Sequence, residues 1–482
     1  MKMRFLALSI SAALAGCSLA PEYTQPVAPV PADWGERGQP QAGGEQRRAV
    51  DIGWRQFFND ARLQRLIELG LENNRDLRVA IQNIEVARAQ YGVTRADQFP
   101  AIGANAQAAR NRVAEGQSPT GQASLGTTYQ VNLGVTAFEL DLFGRVRNLS
   151  QAALAQYLAT EEAWRSTHIA LVAQIANAYL NERSAEEAWK IADDTLTVRR
   201  ESFDLVKLRY DAGISSEVEL SQAESLVQTA EVAKAVADRN RAQAGNALQL
   251  LIGQSLPADL PPARPLSEQR LLADIPAGLS SDLIQQRPDI RAAEQQLLAA
   301  NASIGAARAA FFPRIALTGS FGTASTQLDG LFGSGSLAWS FIPQISLPIF
   351  TAGRNQANLD IAEARNHIAV ANYEKSIQQA FREVADGLDA KETLERQIQA
   401  QQRVADAARR SFELVDIRYR NGIEGYLQVL DAQREVFNAE QALLSAQTLR
   451  LSNLVELYKS LGGGWQETGL TPVAEAPPAV TN

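Results

Sequence analysis

Phe203-Asp204-Leu205-Val206-Lys207-Leu208-Arg209-Tyr210-Asp211-Ala212-Gly213-Ile214 is echoed by Phe412-Glu413-Leu414-Val415-Asp416-Ile417-Arg418-Tyr419-Arg420-Asn421-Gly422-Ile423, a shift of 412 − 203 = 209 positions. In both copies an amphipathic helical stretch runs into a glycine and restarts as another helix. Gly213 and Gly422 supply the left-handed backbone that ends a helix in a tight turn. A chain that writes helix, turn and helix twice is built by repetition, so its function lies in the shape it encloses.

Working outward, a second set of matches confirms the duplication. Asp76-Leu77-Arg78 returns as Asp289-Ile290-Arg291, and Gly92, Arg95, Phe99 and Pro100 return as Gly305, Arg308, Phe312 and Pro313. The repeats span 75–285 and 286–461. Residues 145–210 contain neither Gly nor Pro, and 354–421 contain one Gly and no Pro. At 1.5 Å per residue each is a helix of roughly 100 Å, against an ordinary average of about 11–12 residues. Shorter helices are expected at about 75–98, 214–252, 289–311 and 426–461. Stacked end to end, a pair of them roughly matches one long helix, which is a construction for a cylinder wall.

Between the first short helix and the long helix of each repeat the period changes from 3.6 to 2. Tyr129, Val131, Leu133 and Val135 alternate with Gln130, Asn132, Gly134 and Thr136. Leu337, Trp339 and Phe341, and further on Ile345, Leu347 and Ile349, alternate with small or polar residues, as do Ile315, Leu317 and Phe321. Residues 102–110 are a weaker, alanine-rich version. Strands are therefore expected at about 101–113, 127–141, 314–325 and 336–350, each with one apolar and one small-polar face. Such strands are long enough for a tilted membrane crossing. Four strands cannot close a barrel, and an open edge in lipid leaves backbone groups unsatisfied. Two chains would pool eight strands and three would pool twelve. Only the larger ring leaves an open channel, which favours a closed cyclic trimer.

The ends carry processing signals rather than folded domains. Lys2 and Arg4 precede an apolar run, Phe5 to Ala15, too short to span a bilayer. Leu14-Ala15-Gly16-Cys17 resembles a bacterial lipobox, which implies a signal peptide over 1–16 and lipidation of Cys17, the chain's single cysteine. Ser18 follows rather than Asp, which by that resemblance permits sorting to the outer membrane. Residues 17–74 read as a lipidated linker and an equatorial segment, and 462–482 as a flexible tail. With 46 basic and 54 acidic residues the formal charge is −8, and no basic stripe offers itself to nucleic acid. No catalytic constellation, metal set or cofactor motif emerges. His168 and His367 are not repeat-equivalent, and no P-loop is present, so energy must come from a partner.

These features together resemble the TolC-like outer membrane factors, specifically the lipoprotein channels of resistance–nodulation–division (RND) efflux systems. The resemblance rests on Trp54-Arg55-Gln56-Phe57-Phe58, Arg287-Pro288-Asp289-Ile290-Arg291, Phe311-Phe312-Pro313, Pro348-Ile349-Phe350 with Gly353-Arg354, and Leu427 to Arg434. It implies an α+β membrane protein: a homotrimer with a 12-stranded outer-membrane β-barrel, a long periplasmic α-helical barrel and a mixed equatorial belt. It further implies a non-enzymatic exit duct for drugs or other small toxic molecules, working with a periplasmic adaptor (membrane fusion) protein and an inner-membrane RND transporter. By the same resemblance Leu427 forms an apolar constriction at the periplasmic mouth. Asp431 adds a carboxylate ring, and Tyr419 and Arg434 hold the mouth shut. Leu427, Asp431 and Arg434 do share one helical face at i, i+4 and i+7, although an exposed i,i+3 pair between Asp431 and Arg434 is the plainer reading of those two charges. Gln222 aligns with Asp431, so the first tip is expected to constrict less. Two other readings stay open from the residues: an exit channel for secreted proteins, and a periplasmic scaffold without a pore.

Overall fold

The structure, a computed structural model, describes residues 18–31, 34, 49–117, 121–272 and 280–465. The expected signal segment, Cys17 and the tail beyond 465 lie outside the described residues. Nine helices and four strands are used below. In chain order they are α1 (Trp54–Phe57), α2 (Ala61–Asn73), α3 (Arg75–Ala96), β1 (Ile102–Val113), β2 (Ser124–Leu140), α4 (Arg145–Asp211), α5 (Glu217–Ile252), α6 (Ser280–Gln286), α7 (Pro288–Ala309), β3 (Arg314–Ser325), β4 (Leu337–Ser346), α8 (Arg354–Arg420) and α9 (Tyr426–Ser460). The two long helices, α4 and α8, have 67 residues each. None of the described helices is long and apolar enough to cross a membrane.

The chain divides into two compact units, and each takes segments from both sequence repeats. The repeat is thus a unit of sequence rather than of packing. One unit comprises the N-terminal residues up to Val27 with Asn83–Glu161 and Ala292–Glu374. It holds a single sheet in the order β1-β2-β3-β4, all pairs antiparallel. The two expected hairpins are therefore joined side by side through β2 and β3, leaving β1 and β4 as edges within the chain.

Register fixes the faces of this sheet, because side chains alternate along a strand and paired residues point the same way. The pairs Ala104–Leu133, Leu133–Phe321 and Phe321–Trp339 run across all four strands on one face. Asn105–Asn132, Asn132–Gly322 and Gly322–Ala338 run across the other. Leu133, Phe321, Trp339, Phe341 and Ile345 are exposed. On the opposite face the Ser320 and Ser340 hydroxyls lie 2.8 Å apart. The register slips between Val135 and Phe138, where Ala137 takes φ 52° and its N–H donates to Thr318 Oγ1 at 3.0 Å. This bulge keeps Phe138 and Leu140 on the apolar face. β4 ends at Ser346, short of the expected 350, since Pro348 has no N–H to continue the ladder.

The N-terminal residues of this unit form a strap. Ser18 Oγ donates to Asn148 Oδ1 at 3.0 Å, Asn301 Nδ2 donates to the Pro21 carbonyl at 2.8 Å, and the Tyr23 hydroxyl meets Glu294 Oε1 at 3.1 Å. Gln25 Nε2 donates to the Tyr373 hydroxyl at 2.9 Å. The strap crosses α7 at Gly305, where an added Cβ would lie 2.7 Å from Ala20 N.

The other unit comprises Ala28–Gln82, Glu162–Arg291 and Lys375–Asn482. Its core explains two of the motifs noted above. Trp54, Phe57 and Phe58 are essentially unexposed, and the Phe57 ring stacks on Tyr458 at 4.0 Å between centroids. Asp60 caps α2 by accepting from the N–H groups of Arg62 and Leu63, while its second oxygen accepts from the Tyr179 hydroxyl at 2.8 Å and Gln269 Nε2 at 2.7 Å. Arg287 is buried and bidentate to Asp289 at 2.6 and 3.0 Å, and its Nη1 also reaches Glu383 at 2.9 Å and the Ser460 carbonyl at 3.0 Å. These motifs hold the fold together.

Candidate functional site

The repeated sentence ends in two helical tips, both within the second unit: α4 turning into α5, and α8 turning into α9. The turns have the same bonds. Gly213 N–H donates to the Tyr210 carbonyl and Ile214 N–H to the Arg209 carbonyl, both at 2.8 Å. Gly422 and Ile423 repeat this to Tyr419 and Arg418, both at 2.9 Å. With φ of +73° and +74° at the two glycines, each is a Schellman ending that satisfies the last carbonyls of the helix.

The restarts differ. Ser216 caps α5 in a reciprocal capping box with Glu219, whereas Gly425 caps α9 with no side-chain bond. Ion pairs brace the second turn instead: Arg418 to Glu424 at 2.9 Å and Arg420 to Asp416 at 2.7 Å.

Between the tips lies a small core of Val206, Ala223, Tyr419, Tyr426 and Val429, with Phe203, Leu220, Phe412 and Leu430 against it. Arg209 from the first tip lays its guanidinium 4.8 Å over the Tyr419 ring and donates to the Tyr419 carbonyl at 3.3 Å. Tyr419 and Tyr426 rings are 5.7 Å apart. Burial pushes the Tyr426 phenol up to about 12, with Tyr419 adding to the rise and Arg199 opposing it. Tyr419 is also raised by burial, against the pull of Arg209. Behind this core Gln433 Nε2 donates to Ser202 Oγ at 2.7 Å. Arg199, only 5% exposed, donates to the Leu226 carbonyl at 3.2 Å and forms no ion pair among the described residues. Burial lowers its pKa, with Tyr426 acting in the opposite sense.

The structure brings three of the four expected gate residues together and separates the fourth. Leu427, Asp431 and Arg434 are all exposed on α9, and Arg434 Nη2 contacts Asp431 Oδ1 at 2.9 Å. Tyr419 is 3% exposed and faces the first tip rather than this surface. Its ring meets Arg209 and Tyr426 within the core it shares with Val206, Ala223 and Val429, whereas Arg434 pairs with Asp431. On the first tip Val218, in the place of Leu427, is likewise exposed, and Gln222, in the place of Asp431, is half-buried. Arg209, Tyr426 and Arg199 escaped the reading of the sequence. Only the capping box had a readable signal, the Ser216-x-x-Glu219 spacing. His168 is half-buried and His367 exposed, and no group of three metal-ligating side chains exists among the described residues.

A four-stranded sheet with unlike faces, on a chain whose long helices end in paired tips, narrows the family sharply. The family model described as outer membrane efflux protein matches residues 66–254 and 279–463. The chain belongs to the outer membrane efflux protein family. It is 49% identical over 468 residues to the solvent efflux pump outer membrane protein SrpC of Pseudomonas putida, covering 96% of this chain and 99% of that protein. Among solved structures, a membrane protein from Pseudomonas aeruginosa shares 45% identity with a TM-score of 0.87, covering 93% of this chain and 98% of that one. The open state of the Neisseria gonorrhoeae MtrE outer membrane channel shares 43% identity with a TM-score of 0.84, covering 93% and 99%. As an outer membrane efflux protein this chain is a non-enzymatic, outer-membrane component of an efflux pump.

Proposed function

We propose that three copies of this chain close their sheets into a 12-stranded barrel and form the exit duct of a tripartite pump for small toxic molecules, solvents and antibiotics among them. The observation that carries this is the sheet itself. It has one face that is apolar except toward the loop end of β1, one small-polar face, and edges at β1 and β4 among the described strands. An edge strand in lipid leaves about half of its backbone groups without partners, at several kcal/mol each. Pairing β1 of one copy with β4 of the next removes both edges, and the small-polar face then lines the lumen.

Substrate class follows from the likeness to a solvent efflux protein. The energy source is a separate inner-membrane RND transporter, reached through a periplasmic adaptor that meets the tips. Cys17 carries the lipid anchor. The strap that starts at Ser18 is pinned to the unit that bears the sheet, which suits an anchor held close to the bilayer. At the mouth, three Leu427 side chains narrow the axis and three Asp431 carboxylates ring it, the arrangement that blocks water and solute in channel constrictions. Tyr419 acts from behind, locking the second tip to the first through Arg209. The repeats at 75–285 and 286–461 supply the wall, and the linker at 17–74 supplies part of the belt.

Deletion in a host with no substitute channel tests the reading. Sensitivity to several unrelated toxic compounds, restored by the intact gene, is expected. Unchanged susceptibility while the cognate pump is active contradicts it.

A further inference from the structure

We infer that Arg110 and Arg112 form a docking site for the phosphate groups of a lipid headgroup at the outer rim of the sheet. This rests on the barrel proposed above. The register places Arg110 opposite Thr127 and Arg112 opposite Leu125, in the same alternating row as Ile102, Ala104, Ala106 and Ala108. That row belongs to the apolar face. Arg110 and Arg112 are the only charged residues on that face of the four strands. On the opposite face the charges, Glu139 and Arg314, are paired with each other at 2.5 Å.

Height along the strand explains why arginine is tolerated there. Ile102 follows α3, so β1 begins at the helical end and Arg112 lies toward the loop at the far end. Arg110 and Arg112 are eight and ten residues beyond Ile102 (110 − 102 and 112 − 102). At about 3.4 Å per residue and a tilt of about 40°, they stand roughly 21 and 26 Å above it. The apolar band of an outer-membrane barrel is about 25 Å tall, so both guanidiniums reach the headgroup layer, where a charge is far less costly than at the midplane. Tyr129, opposite Ala108 and one pair below Arg110, is where the amphipathic aromatic of such a rim belongs.

Both arginines are exposed, and among the described residues neither forms an ion pair. The strand that would neighbour β1 in a closed ring, β4 of a second copy, contains no Asp or Glu. The carboxylate nearest in sequence is Glu115, just after β1, and the β3–β4 loop carries Asp329. Two arginines whose Cα atoms stand about 7 Å apart on one face, each able to grip phosphate with two N–H bonds, match a phosphorylated headgroup better than a single carboxylate.

The test is native mass spectrometry of the full-length protein in detergent, titrated with bis-phosphorylated lipid A or with the same lipid stripped of its phosphates. Wild type is expected to retain the phosphorylated form about tenfold more, a preference that falls to about one in R110Q/R112Q and is only partly kept in R110K/R112K, where charge remains without the two-bond grip. Equal retention by wild type and R110Q/R112Q, or no preference in wild type, overturns the inference, and a rise in wild-type-like retention on Asp329→Asn alone would assign the arginines to that loop instead. The same spectra report the trimer: its absence contradicts the barrel, not the arginines, and the single variants R110Q and R112Q read the site if the double variant does not assemble.

Discussion

Replacing Asp431 by Ala separates a gate from a surface ion pair, because the two readings differ in magnitude. Among the described residues Asp431 pairs with Arg434, at 2.9 Å, and the two side chains are 53% and 56% exposed. An exposed i,i+3 pair contributes about 0.2–0.5 kcal/mol. Alanine recovers a similar amount through its higher helix propensity, up to about 0.7 kcal/mol. The net effect on the stability of one chain is therefore near zero, and the thermal midpoint stays in place. If each Asp431 instead accepts a charge-assisted bond present only in the closed mouth, its loss costs the closed state about 1.5–3 kcal/mol. That is at least tenfold in the ratio of closed to open. Single-channel recording and a thermal melt on the same preparation are the assay, with Gln222→Ala on the first tip as the control. The expected result is at least a tenfold rise in open probability for Asp431→Ala, an unmoved melt and a silent control. Open probability within twofold of wild type refutes the gate and leaves Asp431 as one half of an ordinary surface pair.

Three further outcomes follow from the same geometry. Gly213→Ala and Gly422→Ala each force a side chain into φ near +73°, so each should lose about 1–2 kcal/mol in chemical denaturation, and equal losses at the two tips check that the turns are equivalent. Arg287→Ala removes the buried partner of the half-exposed Asp289 and Glu383 carboxylates and of the Ser460 carbonyl, and a loss of about 1.5–3 kcal/mol is expected from the unfolding midpoint. Tyr426 titrates near 12 in the folded chain against 10.0 when free, so its contribution is intact below pH 10 and lost as pH rises toward 12. A tyrosinate absorbance titration should show a late-ionising phenol that Tyr426→Phe removes.

Much of this architecture was legible because it is periodic. Helical and strand periods, broken by Gly213, Gly422, Pro100 and Pro313, place the long helices and all four strands within a few residues of their observed ends. The sheet faces were readable for the same reason. What could not be read is how the elements meet. Tyr210 and Tyr419 occupy the same place in the duplicated sentence, yet Tyr210 is 38% exposed and Tyr419 3%. The tips pack asymmetrically, and no local pattern records which tyrosine turns inward. Grouping Tyr419 with Leu427 and Asp431 followed a motif, and the fold puts it on a different surface. Ala137 is another case: nothing in an alternating strand announces a bulge at an alanine. Arg199 sits in a helix rich in arginines, and only the packing of Phe437 and Tyr426 distinguishes it as buried.

That this chain assembles a gated conduit is tested most directly by conductance. Purified full-length protein inserted into a planar bilayer should give discrete single-channel events, with a trimer as the conducting species. A folded trimer that inserts and never conducts, under conditions where Asp431→Ala is also silent, would contradict the account.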